Sequence, residues 1–209
     1  MLARLSRAPV TAALLAVITL VMLIEWQGGA FANNELLYRM GALYGNLYAD
    51  GQYWRLASAM FLHANVIHWF TNTFSLYQLG TLYEEMFGSA RFALIYFTTG
   101  ICASLLSALL LPPYGIALGA SGAVLGILGA FFFSVRRSPL YRNQRWTRSL
   151  LVQLSFWAAL NIVIGFSIPQ IDNAAHIGGL VSGLILGALL PHNVPPPPPS
   201  HTVVDVTHV

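Results

Sequence analysis

The sequence predicts an all-α membrane protein, a bundle of six transmembrane helices in which the fourth and sixth are short and recessed. Three observations carry this expectation. Of 209 residues, 56% are hydrophobic and only 8% are charged, far too little charge to cover a water-soluble surface. Apolar runs recur at 9–25, 57–79, 91–111, 121–135, 150–166 and 174–190. The sequence has no lysine, and seven of its ten arginines gather in two places: Arg4 and Arg7 before the first run, and Arg136, Arg137, Arg142, Arg145 and Arg148 between the fourth and fifth. Six spans put both clusters on one side, which the positive-inside rule makes cytoplasmic, together with both termini.

The N-terminus admits two readings. Arg4 and Arg7, an apolar run and "AFA" (Ala30–Ala32) resemble a cleaved signal peptide. The run from Pro9 to Ile24 is long for a signal h-region, which favours a retained first helix. The connection at about 26–56 is then external, and its aromatics (Tyr38, Tyr44, Tyr48, Tyr53, Trp54) suit a loop resting in the membrane interface. Residues 1–191 form one membrane domain. Residues 192–209, with Pro195 to Pro199 in sequence, read as a polyproline spacer and a disordered cytoplasmic tail. The single cysteine, Cys102, has no partner for an intramolecular disulfide.

Polar groups within spans ask for a reason. In the second span, "HANVIHWFTNTFSL" places His68, Asn72 and Ser75 at i, i+4 and i+7, on one helical face. His63, five residues before His68, is expected to point elsewhere, toward the interface. The fourth span opens with Ser121 in "GASGAVLG", and the sixth with His176 in "AHIGGLVSGLILG". All three even-numbered spans run inward from the external face. At 1.5 Å per residue, His68, Ser121 and His176 stand ~17, ~21 and ~21 Å from the inner ends of their runs. In a hydrocarbon core ~30 Å thick they share a depth about 10 Å below the outer boundary. Short fourth and sixth helices that start inside the membrane are tolerable where they line a water-filled cavity.

Gly179, Gly183 and Gly187 in the sixth run and Gly122, Gly126 and Gly129 in the fourth form small-residue faces that let helices approach closely. His176 lies within about 60° of its glycine stripe, so it points toward the helix packed there. A serine hydroxyl needs an adjacent base to act as a nucleophile, and His176 is the available one. The Ser121 N–H at a helix N-terminus, with His68 and Asn72, would supply oxyanion donors. Gly119 lets the backbone approach a substrate, and Gly122 relieves crowding beside the serine. Asn173 either caps the sixth helix or bonds a substrate carbonyl. No carboxylate is placed to orient His176, since Asp172 falls in the preceding loop.

These residues resemble the rhomboid family of intramembrane serine proteases over about 53–190. Trp54–Arg55 resembles the family's loop-one signature, His68 and Asn72 its HxxxN motif, and Glu84 with Gly88 its ExxxG motif. "GASG" with Ser121 is similar to the GxSG nucleophile motif, and His176, Gly179 and Gly183 fit AHxxGxxxG. The resemblance implies a Ser121–His176 dyad, a lateral route for transmembrane protein substrates, and no cofactor, metal or nucleic acid. The loop at 168–173 would close over the site. Glu84, Gly88, Trp54 and Arg55 would be structural, the first two at the cytoplasmic turn. Leu125 departs from the family pattern, standing where many members carry an aromatic that stacks on the histidine. The near-minimal length suggests a prokaryotic plasma-membrane protein. Two other readings compete: a catalytically weak or silent rhomboid-like protein that binds membrane clients, and a transporter or metal protein using His63, His68 and His176.

Overall fold

The structure is a computed structural model that describes residues 2–45, 51–112, 115–168 and 170–191. Tyr48 and the tail at 192–209 lie outside the described residues. The fold is mostly helical. A short turn, α1 (Leu2–Leu5), leads into α2 (Pro9–Gln27). The first connection holds α3 (Asn34–Met40), a two-residue strand β1 (Leu43–Tyr44) and α4 (Arg55–Ser58). Then follow α5 (Val66–Phe87), α6 (Ser89–Leu110), β2 (Ile116–Ala117), α7 (Ser121–Arg137), α8 (Thr147–Ser167) and α9 (Asn173–Leu189). Three helices, α2, α6 and α8, are long and apolar enough to cross a membrane.

Helix ends follow local chemistry. Pro9 opens α2, where its missing N–H costs nothing. The Asn65 side chain accepts the His68 N–H and starts α5 nine residues after the run at 57–79 begins. The residues before that cap fold instead as α4 and a 3-10 turn at Ala59–Phe61. Helix α5 then continues to Phe87 and stops at Gly88, whose φ of +88° suits glycine. At α9 the cap is Asp172, which accepts the Ala175 N–H at 3.0 Å.

The bundle is built around α7, which is buried along most of its length. Its closest neighbour is α9, followed by α6. The glycine faces meet as the sequence suggests. A Cβ on Gly179 would overlap the Gly122 carbonyl, one on Gly183 the Gly126 carbonyl, and one on Gly187 would stand 2.5 Å from the Ala130 carbonyl. The two backbones are therefore in direct contact over two turns. On the other side, Ala103 and Thr99 of α6 fill the space a side chain at Gly122 or Gly126 would need. At the far end, Tyr83, Phe87, Phe92 and Phe131 cluster, and the Tyr83 hydroxyl meets Ser134 Oγ at 2.9 Å. By contrast α8 is little buried and touches chiefly α7 and α9.

Helix α2 is fixed to α5 by Glu84. One carboxylate oxygen accepts the Val10 N–H (2.9 Å) and the Ser89 hydroxyl (2.6 Å). The other accepts the Thr11 N–H (2.8 Å) and hydroxyl (2.7 Å). A carboxylate thus caps the first turn of α2, where unpaired N–H groups and the helix dipole favour negative charge.

The first connection is more structured than an interfacial loop. Strands β1 and β2 pair antiparallel, Leu43 with Ala117 and Tyr44 with Ile116, so the fold is not purely α. Arg55 is buried, 4% exposed. It donates to the Tyr38 and Ala42 carbonyls and to Gln52 Oε1 (2.6 Å), and lies over the rings of Tyr38 and Trp54. Trp54 itself is exposed.

Three substitutions, each followed by unfolding in detergent micelles, test this packing. Gly183→Leu should lower unfolding stability by about 3 kcal/mol or more, because backbone blocks the new side chain. Gly29→Ala, in open space at φ +75°, should cost only about 1 kcal/mol. Arg55→Lys should cost about 2 kcal/mol despite keeping the charge, because one ammonium cannot reach three separated acceptors.

Candidate active site

Ser121 is the first residue of α7 and His176 lies in the first turn of α9. The glycine contact between these helices begins one residue inward from Ser121, at Gly122 against Gly179. It leaves Ser121 Oγ 3.0 Å from His176 Nε2. His176 is 6% exposed and Ser121 half-buried. The pair can therefore form a nucleophile–base hydrogen bond.

The turn before Ser121 is held from both sides. Gly119 has φ +121°, and its N–H donates to the Ala59 carbonyl at 2.9 Å. Two residues earlier, β2 is tied to β1. A Cβ at Gly119 would lie 2.6 Å from His68 Cε1 and 2.8 Å from Nε2. The Cε1–Nε2 edge of His68 thus faces the backbone just before the serine. The other ring nitrogen, Nδ1, receives the Ala64 N–H at 3.5 Å. An acceptor at Nδ1 puts the proton on Nε2. Beside it, Asn72 is 5% exposed and uses one amide hydrogen on the His68 carbonyl at 2.9 Å, leaving a second. The N–H groups of Ser121 and Gly122, in the first turn of α7, have no intrahelical carbonyl to reach.

Two expectations are corrected. His63 does not face the interface. It is fully buried, with its ring edge-on to His68 at a 5.1 Å centroid distance. It lies in the turn before the Asn65 cap, so helical spacing did not govern its direction. Asn173 does not cap α9, because Asp172 does. Its Nδ2 donates to the Ile162 carbonyl at 3.1 Å, and its side chain fills the space over Gly165 of α8. Asp172 also accepts the Ser107 hydroxyl, joining the end of α6 to the start of α9. Leu125 is buried in the core of α7. Ser75 is half-buried. Glu84 and Gly88 act at helix ends away from the serine, and Gly179 and Gly183 in the packing of α9 on α7, Gly179 against Gly122 next to it.

Sequence reasoning passed over Glu25. This carboxylate at the end of α2 is fully buried, and its Oε1 accepts the His63 N–H at 2.9 Å. An ionisable residue within an apolar run was the available signal. Among the described residues, no three His, Cys, Asp or Glu side chains converge to hold a metal ion.

A helical membrane protein with a hydrogen-bonded serine and histidine at two helix N-termini is the class these features define. A Rhomboid domain model matches residues 50–193. Over 173 residues the chain is 38% identical to the rhomboid protease GluP of Bacillus subtilis (strain 168), covering 83% of this chain and 33% of that protein. It is 39% identical over 160 residues to the mitochondrial RHOMBOID-like protein 6 of Arabidopsis thaliana, covering 76% and 50%. A third relative, Rhomboid-like protease 3 of Toxoplasma gondii, is 29% identical over 154 residues, covering 74% and 58%. The chain belongs to the rhomboid family and is an integral membrane protein; it spans a third to about half the length of the first two relatives.

Removing the Glu84 carboxylate should uncouple α2 without touching the serine. Glu84→Ala is expected to cost about 3 kcal/mol, since four donors lose their acceptor. Hydrogen exchange at the Val10 and Thr11 amides should rise accordingly.

Proposed function

We propose that the chain is an intramembrane serine endopeptidase that cleaves transmembrane segments of membrane proteins through a Ser121–His176 dyad. The carrying observation is the 3.0 Å contact between His176 Nε2 and Ser121 Oγ. Family membership and the similarity to a protein named a rhomboid protease support the reaction class. In this reading His176 takes the Ser121 proton as Oγ attacks the scissile carbonyl. The carbonyl oxygen becomes an oxyanion and accepts hydrogen bonds from the Ser121 N–H, His68 Nε2–H and the free Asn72 amide hydrogen. The imidazolium then gives its proton to the leaving amine as the C–N bond breaks. Water, deprotonated by His176, attacks the acyl-serine; the acyl–Oγ bond breaks, the imidazolium returns its proton to Ser121 Oγ, and the second product leaves with a new carboxyl terminus. Gly119, lacking a side chain, lets the His68 ring lie against the backbone before the serine, and Asn173 retains a second amide hydrogen for a substrate carbonyl.

The six-span arrangement belongs to the same reading. Helices α7 and α9 have 17 residues each, about 26 Å at 1.5 Å per residue. That is shorter than a ~30 Å hydrocarbon core. With the inner end of α7 (Arg136, Arg137) at the cytoplasmic surface and that of α9 beside it, where Arg137 donates to the Ala188 carbonyl, their N-termini fall below the external boundary, in a plasma membrane with both chain termini inside. The reading as a silent client-binding protein accounts less well for a serine and a histidine that are both present and hydrogen-bonded.

The test uses the purified protein reconstituted with a model transmembrane substrate. Ser121→Ala and His176→Ala should each lower cleavage by about four orders of magnitude or more, with unfolding temperature unchanged. A fluorophosphonate probe should label the wild type and spare Ser121→Ala. Cleavage should persist in strong chelator. Equal cleavage by all three forms would sink the dyad.

A further inference from the structure

Glu25 lies outside the reaction just described, yet among the described residues it is the least exposed carboxylate, at 0%. It ends the inner seam of α2, formed by Thr11, Leu14, Ile18, Met22 and Glu25. Its Oε1 accepts the His63 N–H at 2.9 Å. Its Oε2 and both ring nitrogens of His63 have no hydrogen-bond partner among the described residues. The turn it grips is short. Leu62 is extended (ψ 153°) and the Asn65 backbone is extended before α5 begins. Between them stand two successive N–H groups: that of His63 goes to Glu25, and that of Ala64 goes to His68 Nδ1. The direction of the second is therefore fixed by the anchoring of the first.

We propose that Glu25 is a positioning residue for His68. By accepting the His63 N–H it holds the Ala64 N–H on His68 Nδ1, which keeps the His68 proton on Nε2, the edge that faces Gly119, two residues before Ser121. This rests on the reading of His68 as an oxyanion donor. With the proton on Nδ1 instead, Nε2 would present a lone pair to a developing negative charge. The His63 ring, edge-on to His68, limits rotation of the imidazole on its other side. The role requires an acceptor at position 25, not a charge, so glutamine serves and alanine does not.

The decisive measurement is the tautomer of His68, read by 15N NMR of ring-labelled protein in micelles, with the His68 signal assigned through His68→Gln. Wild type and Glu25→Gln should carry the proton on Nε2. Glu25→Ala should show the Nδ1–H form growing in. Against a transmembrane substrate, its kcat should fall about tenfold with KM within about twofold, while Glu25→Gln keeps wild-type kcat. A wild-type proton on Nδ1 overturns the proposal, as does Glu25→Ala with tautomer and kcat unchanged, or Glu25→Gln behaving like alanine. Should Glu25→Ala fail to fold, the wild-type and Glu25→Gln tautomers still decide. The NMR readout needs no turnover, so an inactive wild type with the expected tautomer pattern would count against the protease reading and for the role of Glu25.

Discussion

The site depends on one contact, the backbone of α7 lying directly on that of α9. Where Gly122, Gly126 and Ala130 meet Gly179, Gly183 and Gly187, no side chain stands between the helices to adjust their spacing. Dispersion between close backbones replaces the hydrophobic drive that lipid removes. Helix α6 presses on the other side of α7 through Thr99 and Ala103. Ser121 and His176 are thus set by main chain, not by rotamers of intervening residues. A hydrogen bond between Ser121 and His176, 55 residues apart in sequence, needs such a rigid reference.

The His68 side of the site has a different support. Gly119 is held by Ala59, β2 by β1, and the first connection by the buried Arg55 guanidinium. His68 stands on the first turn of α5, behind a capped N-terminus and beside a turn bonded to α2. One half of the site is therefore a packed helix pair. The other is a set of turns pinned by specific polar groups. Such turns have fewer apolar contacts to fall back on, so single polar deletions should be felt there first.

Much of this was legible in the sequence because the relevant signals are periodic. Helical spacing put His68 and Asn72 on one face, and the two glycine stripes announced the contact that joins Ser121 to His176. Failures fell where periodicity stops. His63 was assigned by helical spacing in a segment that is a turn. Asp172, one residue earlier, took the cap considered for Asn173. The paired strands are two residues each, too short to show alternation. Arg55 was legible as structural through its motif, but the burial of its guanidinium was not, because that depends on carbonyls brought together by α3 and the chain after it. Glu25 was visible as a charge in an apolar run, but its partner lies 38 residues away.

Glu84 and Glu25 grip α2 near its two ends, the first at Val10 and Thr11, the second at the His63 turn. The anchored stretch from Thr11 to Glu25 measures about 21 Å at 1.5 Å per residue. A helix fastened at both ends to the same neighbour has lost the freedom to slide along it. When the surrounding bilayer thins or thickens, α2 and α5 can answer only as one unit, by leaning or by deforming the lipid beside them. The polar staples thus convert a change in membrane thickness into a tilt of the pair and leave the register beneath His68 intact.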